Sequence, residues 1–227
     1  MKALFVNGSP RKNWNTYKML ESAMKGASDS GAECEMVNLY DAPAKGCVSC
    51  FVCKVKNSKT NGLCAYKDAL TPILQKALQS DVVVAGSPIY FSNVTALTRA
   101  FLERLMFPVM SYNGEYDPET HTMESRILKR DIQTAMIYTM GYPDEEGLKD
   151  FGYISMFNET QRFLKQLFGY SEILYAYNTY QFSDYSRYDV AEGIEPMKAK
   201  WRDEHFPEDL KKAYDLGKRL AGLAKHE

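Results

Sequence analysis

The sequence predicts an α/β protein in which a five-stranded parallel sheet is doubly wound, with helices on both faces. Apolar runs of strand length alternate along the chain with segments in which apolar residues recur at helical spacing, as in such a sheet. A β-branched run at residues 81–86 indicates a central strand that is buried on both faces. The 227 residues, of which 45% are hydrophobic, suit a single domain spanning residues 1–227.

The predicted elements follow one another in a regular order. The first strand, residues 2–7, is an apolar run, and apolar residues from Met19 to Ala27 recur at the spacing of a helix that extends to about residue 30. Residues 33–39 alternate apolar and polar side chains, which predicts a second strand. Later helices are predicted at residues 69–78, 93–106, 157–168 and 209–223, and later strands at 81–86, 132–138 and 173–177.

Two segments interrupt this order and are interpreted as excursions from the domain. Residues 107–130 are polar and aromatic, and residues 178–207 are rich in Tyr, Asp and Arg. Because Tyr is enriched at protein interfaces, we expect both excursions to lie where subunits meet.

Composition and charge argue against several classes of function. The net charge is -1 and there is no dense basic run, so we expect no nucleic-acid partner and no anionic membrane partner. No apolar stretch approaches the roughly 20 residues that span a bilayer. Met1 and Lys2 lead directly into a predicted core strand, without the pattern of a signal peptide. We therefore expect a cytoplasmic protein in which the five cysteines are thiols or metal ligands and not disulfides.

The sequence offers no obvious catalytic acid or base, and we assign none. His121, His205 and His226 all lie outside the predicted strand-end loops, and no Gly-x-Ser-x-Gly nucleophile motif occurs. If the protein is an enzyme, this absence agrees with one whose chemistry belongs to a cofactor that the protein positions.

The loop after the first strand has the composition of a phosphate site. Residues 7–16 lead from a strand into a helix, where free backbone N–H groups and the helix dipole attract an anion. Ser9, Asn15 and Thr16 supply short donors, and Arg11 supplies a charged fork. The loop matches neither the Walker A motif nor the Gly-x-Gly-x-x-Gly fingerprint, so a terminal phosphate monoester suits it better than a pyrophosphate. The alternative is an ordinary turn in which Ser9 caps the helix.

Two further strand-end loops carry groups suited to a flat ring. In the loop after the third strand, Tyr90 and Phe91 offer aromatic faces while backbone amides offer hydrogen bonds to a ring edge. In the loop after the fourth strand, Gly141 permits close approach and Thr139 supplies a hydroxyl group. The alternative is that the aromatic residues belong to the core or its rim. Because ligands of such sheets bind beyond the carboxyl ends of the strands, we expect the three loops to meet.

Four of the cysteines are spaced like metal ligands. Cys47, Cys50 and Cys53 form a Cys-x-x-Cys-x-x-Cys motif, and Cys64 follows after a spacer of ten residues. Three interpretations stay open: these four cysteines bind a [4Fe–4S] cluster, they provide a structural zinc site or a redox-active thiol pair, or they are plain reduced cysteines. Cys34 lies in the second predicted strand and is interpreted as a small core residue.

Two motifs resemble a known family. Gly8-Ser9-Pro10-Arg11-Lys12-Asn13, followed by Asn15-Thr16, resembles the FMN phosphate loop of the NADPH-dependent FMN reductase and iron–sulfur flavoprotein group in the flavodoxin-like superfamily. Ser87-Pro88-Ile89-Tyr90-Phe91 resembles the ring loop of the same group. Trp14 and Ser92 stand where that group usually has glycine, and the spacer before Cys64 is longer than in the compact cluster motif. The resemblance implies a flavodoxin-like sheet with strand order 2-1-3-4-5.

The resemblance also implies an FMN-dependent oxidoreductase. In such an enzyme NAD(P)H delivers a hydride to flavin N5, and a quinone, a flavin, a nitro compound or a protein redox centre accepts the electrons. The implied ligands are Ser9, Arg11, Asn15 and Thr16 for the phosphate, and Pro88, Ile89, Tyr90, Phe91, Ser92, Thr139, Met140, Gly141 and Tyr142 for the ring. The resemblance further implies a homodimer or homotetramer. Two rival functions remain open: an electron carrier with a [4Fe–4S] cluster on the cysteine loop, and a binding module that has lost its flavin.

Overall fold

A computed structural model of the chain describes residues 1–113, 116–119, 122–123, 126–150 and 152–224. His121 and His226, together with parts of the predicted excursion 107–130, lie outside the described residues.

The core of the fold is a parallel sheet. Its strands in chain order are β1 (Lys2–Asn7), β2 (Glu33–Asn38), β3 (Val82–Tyr90), the short β4 (Asn93–Val94), β7 (Ile132–Thr139) and β8 (Gly169–Ala176). In the described part of the chain the order across the sheet is β2-β1-β3-β7-β8, all parallel, and β4 pairs antiparallel with β3. Two further short strands, β5 (Tyr116–Asp117) and β6 (Thr122–Met123), pair with each other. The predicted α/β class with a parallel sheet is confirmed.

The strand numbering differs from the predicted order 2-1-3-4-5. Three strands of two residues each, β4, β5 and β6, come between β3 and β7. A two-residue strand is too short to show an alternating pattern, so the sequence gives no sign of these elements.

Helices cover both faces of the sheet, as predicted. They are α1 (Asn15–Asp29), α2 (Thr71–Gln79), α3 (Ala96–Val109), α4 (Glu145–Asp150), α5 (Tyr153–Phe168), α6 (Ile194–Glu204) and α7 (Phe206–Leu223). One core cluster joins α1 and α7 to the sheet through residues such as Leu20 and Leu216. A second cluster joins α2, α3 and α5 to the other face through residues such as Leu74, Phe101 and Leu164. Within the described residues, no helix is both long and apolar enough to cross a bilayer.

The carboxyl end of β3 differs most from its predicted position. We expected this strand to end at Gly86, but it continues because Ser87 and Pro88 stay in register with Tyr138 and Thr139 of β7. The chain then turns back sharply, so that β4 pairs with the last residues of β3. The predicted ring loop is therefore a strand end followed by a tight turn, which holds its backbone more firmly than an open loop.

The two predicted excursions contain regular structure. Residues 107–109 belong to the last turn of α3, and residues 178–207 include a single 3₁₀ turn at Tyr185–Arg187, all of α6 and the start of α7. The short helices α4 and α6 were not predicted. Both are polar, so few apolar side chains mark a buried face.

Candidate functional site

Loops at the carboxyl edge of the sheet converge on one pocket, in agreement with the expectation that they meet. The pocket is open to solvent and encloses about 470 Å³ when its open mouth is included. Its walls are Ser9, Arg11, Trp14, Asn15, Thr16, Pro88, Ile89, Tyr90, Thr139, Met140, Gly141, Thr179 and Gln181. It lies beside the ends of the neighbouring strands β1 and β3, which is where the strand order of this sheet reverses.

The first loop is shaped by its own short side chains. Asn7 Oδ1 accepts a hydrogen bond from the Ser9 N–H, and Ser9 Oγ accepts one from the Arg11 N–H, both at 3.1 Å. The Asn7 side chain is fixed in turn by donating to Asn38 Oδ1 at 2.9 Å. Ser9 therefore stabilises the loop and does not cap α1, so the simple capping alternative is not what the structure contains.

The amino-terminal end of α1 faces this loop without a side-chain cap. Trp14 occupies the N-cap position, but its side chain makes no capping hydrogen bond. Helix geometry leaves the N–H groups of Asn15, Thr16 and Tyr17 without acceptors inside the helix. N–H groups and a helix dipole in this arrangement attract an anion where one is available.

Three side chains around the loop are tied to a segment that the sequence interpretation missed. Arg11 Nη1 donates to the Gln181 carbonyl at 2.5 Å, and its guanidinium lies 4.7 Å from the centre of the Trp14 ring. Trp14 Nε1 and Asn15 Nδ2 both donate to the Tyr180 carbonyl, at 3.1 and 2.8 Å. The side-chain amide of Asn15, predicted as a phosphate donor, is thus engaged by the protein itself.

Residues 178–181 continue from this contact to the loop after β7. The Thr179 N–H and hydroxyl both donate to the Met140 carbonyl, at 2.9 and 3.1 Å, and the Asn178 N–H donates to the Tyr142 carbonyl at 2.6 Å. We call residues 178–181 the bridge segment, because they connect the first loop to the loop after β7. The bridge segment follows β8, so the rule that placed the other loops at this sheet edge could also have placed this one.

The predicted ring residues divide into two groups. Pro88, Ile89, Tyr90, Thr139, Met140 and Gly141 line the pocket, whereas Phe91, Ser92 and Tyr142 are not among its walls. Phe91 and Ser92 form the tight turn between β3 and β4 with left-handed φ values of 46° and 67°, and the Phe91 side chain is fully exposed. Tyr142 packs edge-on against Tyr153, with ring centres 6.0 Å apart.

The four spaced cysteines line a second, smaller cavity that shares no wall residue with the first. Cys47 and Cys50 are exposed, while Cys53 and Cys64 are buried. Burial raises the pKa of the Cys53 thiol, and the neighbouring Cys64 adds to this effect. Among the described residues, no three side chains of the metal-ligating types are close enough together to hold one metal ion. Cys34 is only half-buried in β2, so its predicted place in the core is corrected to the edge of the core.

A buried arginine holds both ends of the cysteine loop. The Arg104 side chain is fully buried, and its Nη1 donates to Asp68 at 2.6 Å and to the Lys45 carbonyl at 3.1 Å. Its Nη2 donates to the Tyr66 carbonyl at 2.7 Å. Because Lys45 precedes Cys47 and Tyr66 follows Cys64, this single guanidinium fixes where the loop leaves and rejoins the fold.

The parallel sheet, with a pocket at its strand-order reversal, defines a flavodoxin-like fold. The profile of the NADPH-dependent FMN reductase family matches residues 1–119 of the 227, and the chain belongs to this family.

Matches to individual proteins are consistent with membership of this family. An iron–sulfur flavoprotein of Archaeoglobus fulgidus is 36% identical over 106 residues, which are 47% of this chain and 46% of that protein. An iron–sulfur flavoprotein of Methanocaldococcus jannaschii is 32% identical over 104 residues, 46% of this chain and 51% of that protein. These matches thus span about half the length of the curated relatives. The NAD(P)H:quinone oxidoreductase from Methanothermobacter marburgensis has the same fold, with a TM-score of 0.64 and 16% identity over 97% of this chain and 96% of that one.

Proposed function

We propose that the chain is an FMN-dependent NAD(P)H oxidoreductase. The observation that carries this proposal is the single pocket in which the first loop, the end of β3 and the loop after β7 meet. These are the three segments in which the sequence predicts a phosphate site and a ring site. Membership of the FMN reductase family supports the same cofactor.

The residues present fit the phosphate of FMN. The uncapped N–H groups at the start of α1 are oriented for an anion, and Arg11 places a positive charge on the pocket wall. Ser9 is buried under the loop and fixes its backbone, so the anion site is formed before any ligand arrives.

The other end of the pocket fits a flat ring. Ile89 and Tyr90 at the end of β3 line the same pocket as Met140 and Gly141 after β7, and the backbone of both segments is held by sheet and bridge hydrogen bonds. Bound FMN would accept a hydride from NAD(P)H and pass the electrons to an acceptor. The half-exposed Tyr90 lies at the open mouth, where NAD(P)H and then a quinone, a flavin, a nitro compound or a protein redox centre would dock in turn.

Binding measurements test the cofactor assignment. We expect the purified chain to bind FMN more tightly than riboflavin, because riboflavin lacks the phosphate. Arg11→Met should weaken FMN binding about tenfold while leaving riboflavin binding nearly unchanged. Lys12→Met is the matched control, since Lys12 pairs with Asp41 at the surface and does not line the pocket. Equal affinity for FMN and riboflavin would contradict the proposed phosphate site.

Reduction under anaerobic conditions tests the activity. NADPH or NADH added to the FMN-loaded chain should bleach the flavin absorbance, and a quinone should restore it. A chain that binds FMN but is reduced by neither nucleotide would be an electron carrier and not a reductase.

A second candidate function is an electron carrier that contains a [4Fe–4S] cluster as well as FMN. It is favoured by the four thiols that line one cavity and by the curated relatives, which are iron–sulfur flavoproteins. Cys47, Cys50, Cys53 and Cys64 are the right number and type of ligands, although the exposed Cys47 and Cys50 would have to move inward. Iron and sulfide analysis of protein purified without air tests this candidate, and zinc without iron would indicate a structural metal site instead.

We also propose that the chain forms a homodimer or homotetramer. Exposed apolar side chains, among them Phe51, Tyr112, Met156 and Phe163, line a broad groove between the cysteine loop, α3 and α5. An apolar surface of this kind marks an interaction site on many proteins. Sedimentation analysis of the purified chain would test the assembly, and a monomer at micromolar concentration would contradict it.

A further inference from the structure

A buried lysine lies directly behind the ring end of the pocket. Lys198 is in α6, and only 6% of the residue is exposed. Its Nζ lies 2.9 Å from Asn178 Oδ1, 3.4 Å from the Gly141 carbonyl oxygen and 3.5 Å from the Thr179 carbonyl oxygen. Three acceptors match the three N–H donors of a protonated lysine, so the geometry is that of an ammonium group.

This ammonium has no counter-ion in the part of the chain that the structure describes. All three acceptors are neutral, and none of the salt bridges between described residues includes Lys198. A buried charge without an opposite charge is costly, and burial accordingly lowers the pKa of Lys198. A bound ligand that is negative at this end of the pocket would supply the missing charge.

The distance from Lys198 to the pocket is short. Gly141 and Thr179 both line the pocket and both offer their carbonyl oxygens to Nζ. A Cβ atom placed on Gly141 would lie 3.9 Å from Nζ, so one backbone layer separates the ammonium from the pocket. Its charge therefore acts in a protein environment, where an opposite charge a few ångströms away is only weakly screened.

We infer that the Lys198 ammonium is the counter-charge for the reduced FMN ring, so that it raises the reduction potential of the cofactor. The inference rests on the proposed function. A hydride from NAD(P)H brings two electrons and one proton to the ring, which gains one negative charge while NAD(P)⁺ leaves. An ammonium behind the pocket wall stabilises this charged form and has little effect on the neutral oxidised ring.

Binding of FMN in its two oxidation states tests the inference. The dissociation constants of oxidised FMN and of dithionite-reduced FMN are measured anaerobically, and their ratio reports the shift in potential. Lys198→Met should weaken the binding of reduced FMN at least about tenfold more than the binding of oxidised FMN. Lys198→Arg should stay close to the wild type. Lys200→Met is the matched control, because Lys200 lies exposed on the same helix and should leave the ratio unchanged.

A second variant keeps the lysine and cancels its charge. Asn178→Asp places a carboxylate where the amide oxygen lies 2.9 Å from Nζ, with almost no change in shape. It should shift the ratio of the two dissociation constants in the direction expected for Lys198→Met. It therefore tests the inference independently if the methionine variant folds poorly. If Lys198 served only to hold Gly141 and Thr179 in place, the variants would weaken the binding of oxidised and reduced FMN equally.

The possible failures are distinguishable. An unchanged ratio in Lys198→Met and Asn178→Asp, with FMN still bound, would overturn this inference and leave the proposed function intact. A wild-type chain that binds no FMN would overturn both.

Discussion

The hydroxyl groups of Thr16 and Thr139 lie 2.7 Å apart and share a hydrogen bond inside the pocket wall. Thr16 is in the first turn of α1, and Thr139 is the last residue of β7. Both side chains are buried, so water does not compete for this hydrogen bond. The contact connects the proposed phosphate end of the pocket to its proposed ring end across two strand-end loops that are not neighbours in the sheet.

We predict that Thr139→Val destabilises the chain by about 1–2 kcal/mol, because it leaves the Thr16 hydroxyl buried without its partner. Urea unfolding of the flavin-free protein measures this change. The double variant Thr16→Val/Thr139→Val should recover part of the loss, since it removes the second hydroxyl as well. Strictly additive effects of the two substitutions would contradict a direct hydrogen bond between them.

We predict that Gly8→Ala disrupts the first loop. A Cβ atom at this position would lie 1.9 Å from Thr98 Oγ1 and 2.9 Å from the Gly86 carbonyl oxygen, which accepts a hydrogen bond from the Gly8 N–H. Overpacking of this kind costs about 1–3 kcal/mol and should also weaken FMN binding. Gly222→Ala in α7 is the control, because nothing lies within 4 Å of its added Cβ atom. Thermal melts of both variants would reveal the contrast, and equal melting temperatures would argue against the close contact.

Local sequence patterns identified residues that the structure brings to one pocket, while the ligand roles of these residues stay predictions. The hydroxyl-rich first loop and the glycine after β7 are local patterns, and Ser9, Arg11 and Gly141 all line the pocket. The alternation of apolar strands and helices likewise predicted the parallel sheet, because burial on both faces requires long apolar runs.

The contacts of the bridge segment could not be predicted from the sequence. Its contacts use mainly backbone carbonyls, such as those of Tyr180 and Gln181, and any residue type can supply a carbonyl group. The sequence pattern does not mark Lys198 as a site residue, for a related reason. It lies on a polar helix that is distant in sequence from Gly141, and only the tertiary fold brings its ammonium group next to Asn178 and Gly141.

We predict that the Asp68–Arg104 pair contributes to stability above about pH 4. Although burial opposes it, the hydrogen bond from Arg104 lowers the pKa of Asp68 below its ordinary value of 3.8. A carboxyl group with a lowered pKa in the folded state stabilises the fold above 3.8, and this contribution is lost as the pH falls through the lowered value. Asp68→Asn should cost about 3 kcal/mol near pH 7, because it leaves the buried Arg104 guanidinium without a counter-ion.

Urea unfolding at about pH 7 and about pH 3 measures this effect, and the difference between wild type and Asp68→Asn should shrink at the lower pH. Glu159→Gln is the control, because Glu159 pairs with Arg162 at the surface and should give no measurable change. A difference that is the same at both pH values would contradict the assignment to Asp68.

We predict two classes of reactivity among the four cysteines of the second cavity. In metal-free, reduced protein the exposed Cys47 and Cys50 should react with iodoacetamide at least about tenfold faster than the buried Cys53 and Cys64, because a thiol must be accessible and deprotonated to react. Peptide mass spectrometry over a time course resolves each site.

Incubation with iron and sulfide should protect all four cysteines if they bind a cluster, while Cys34, which lies in β2 and outside that cavity, should keep its rate of reaction. Unprotected Cys47 and Cys50 after such treatment would favour plain reduced cysteines, since a bound cluster would engage their thiolates.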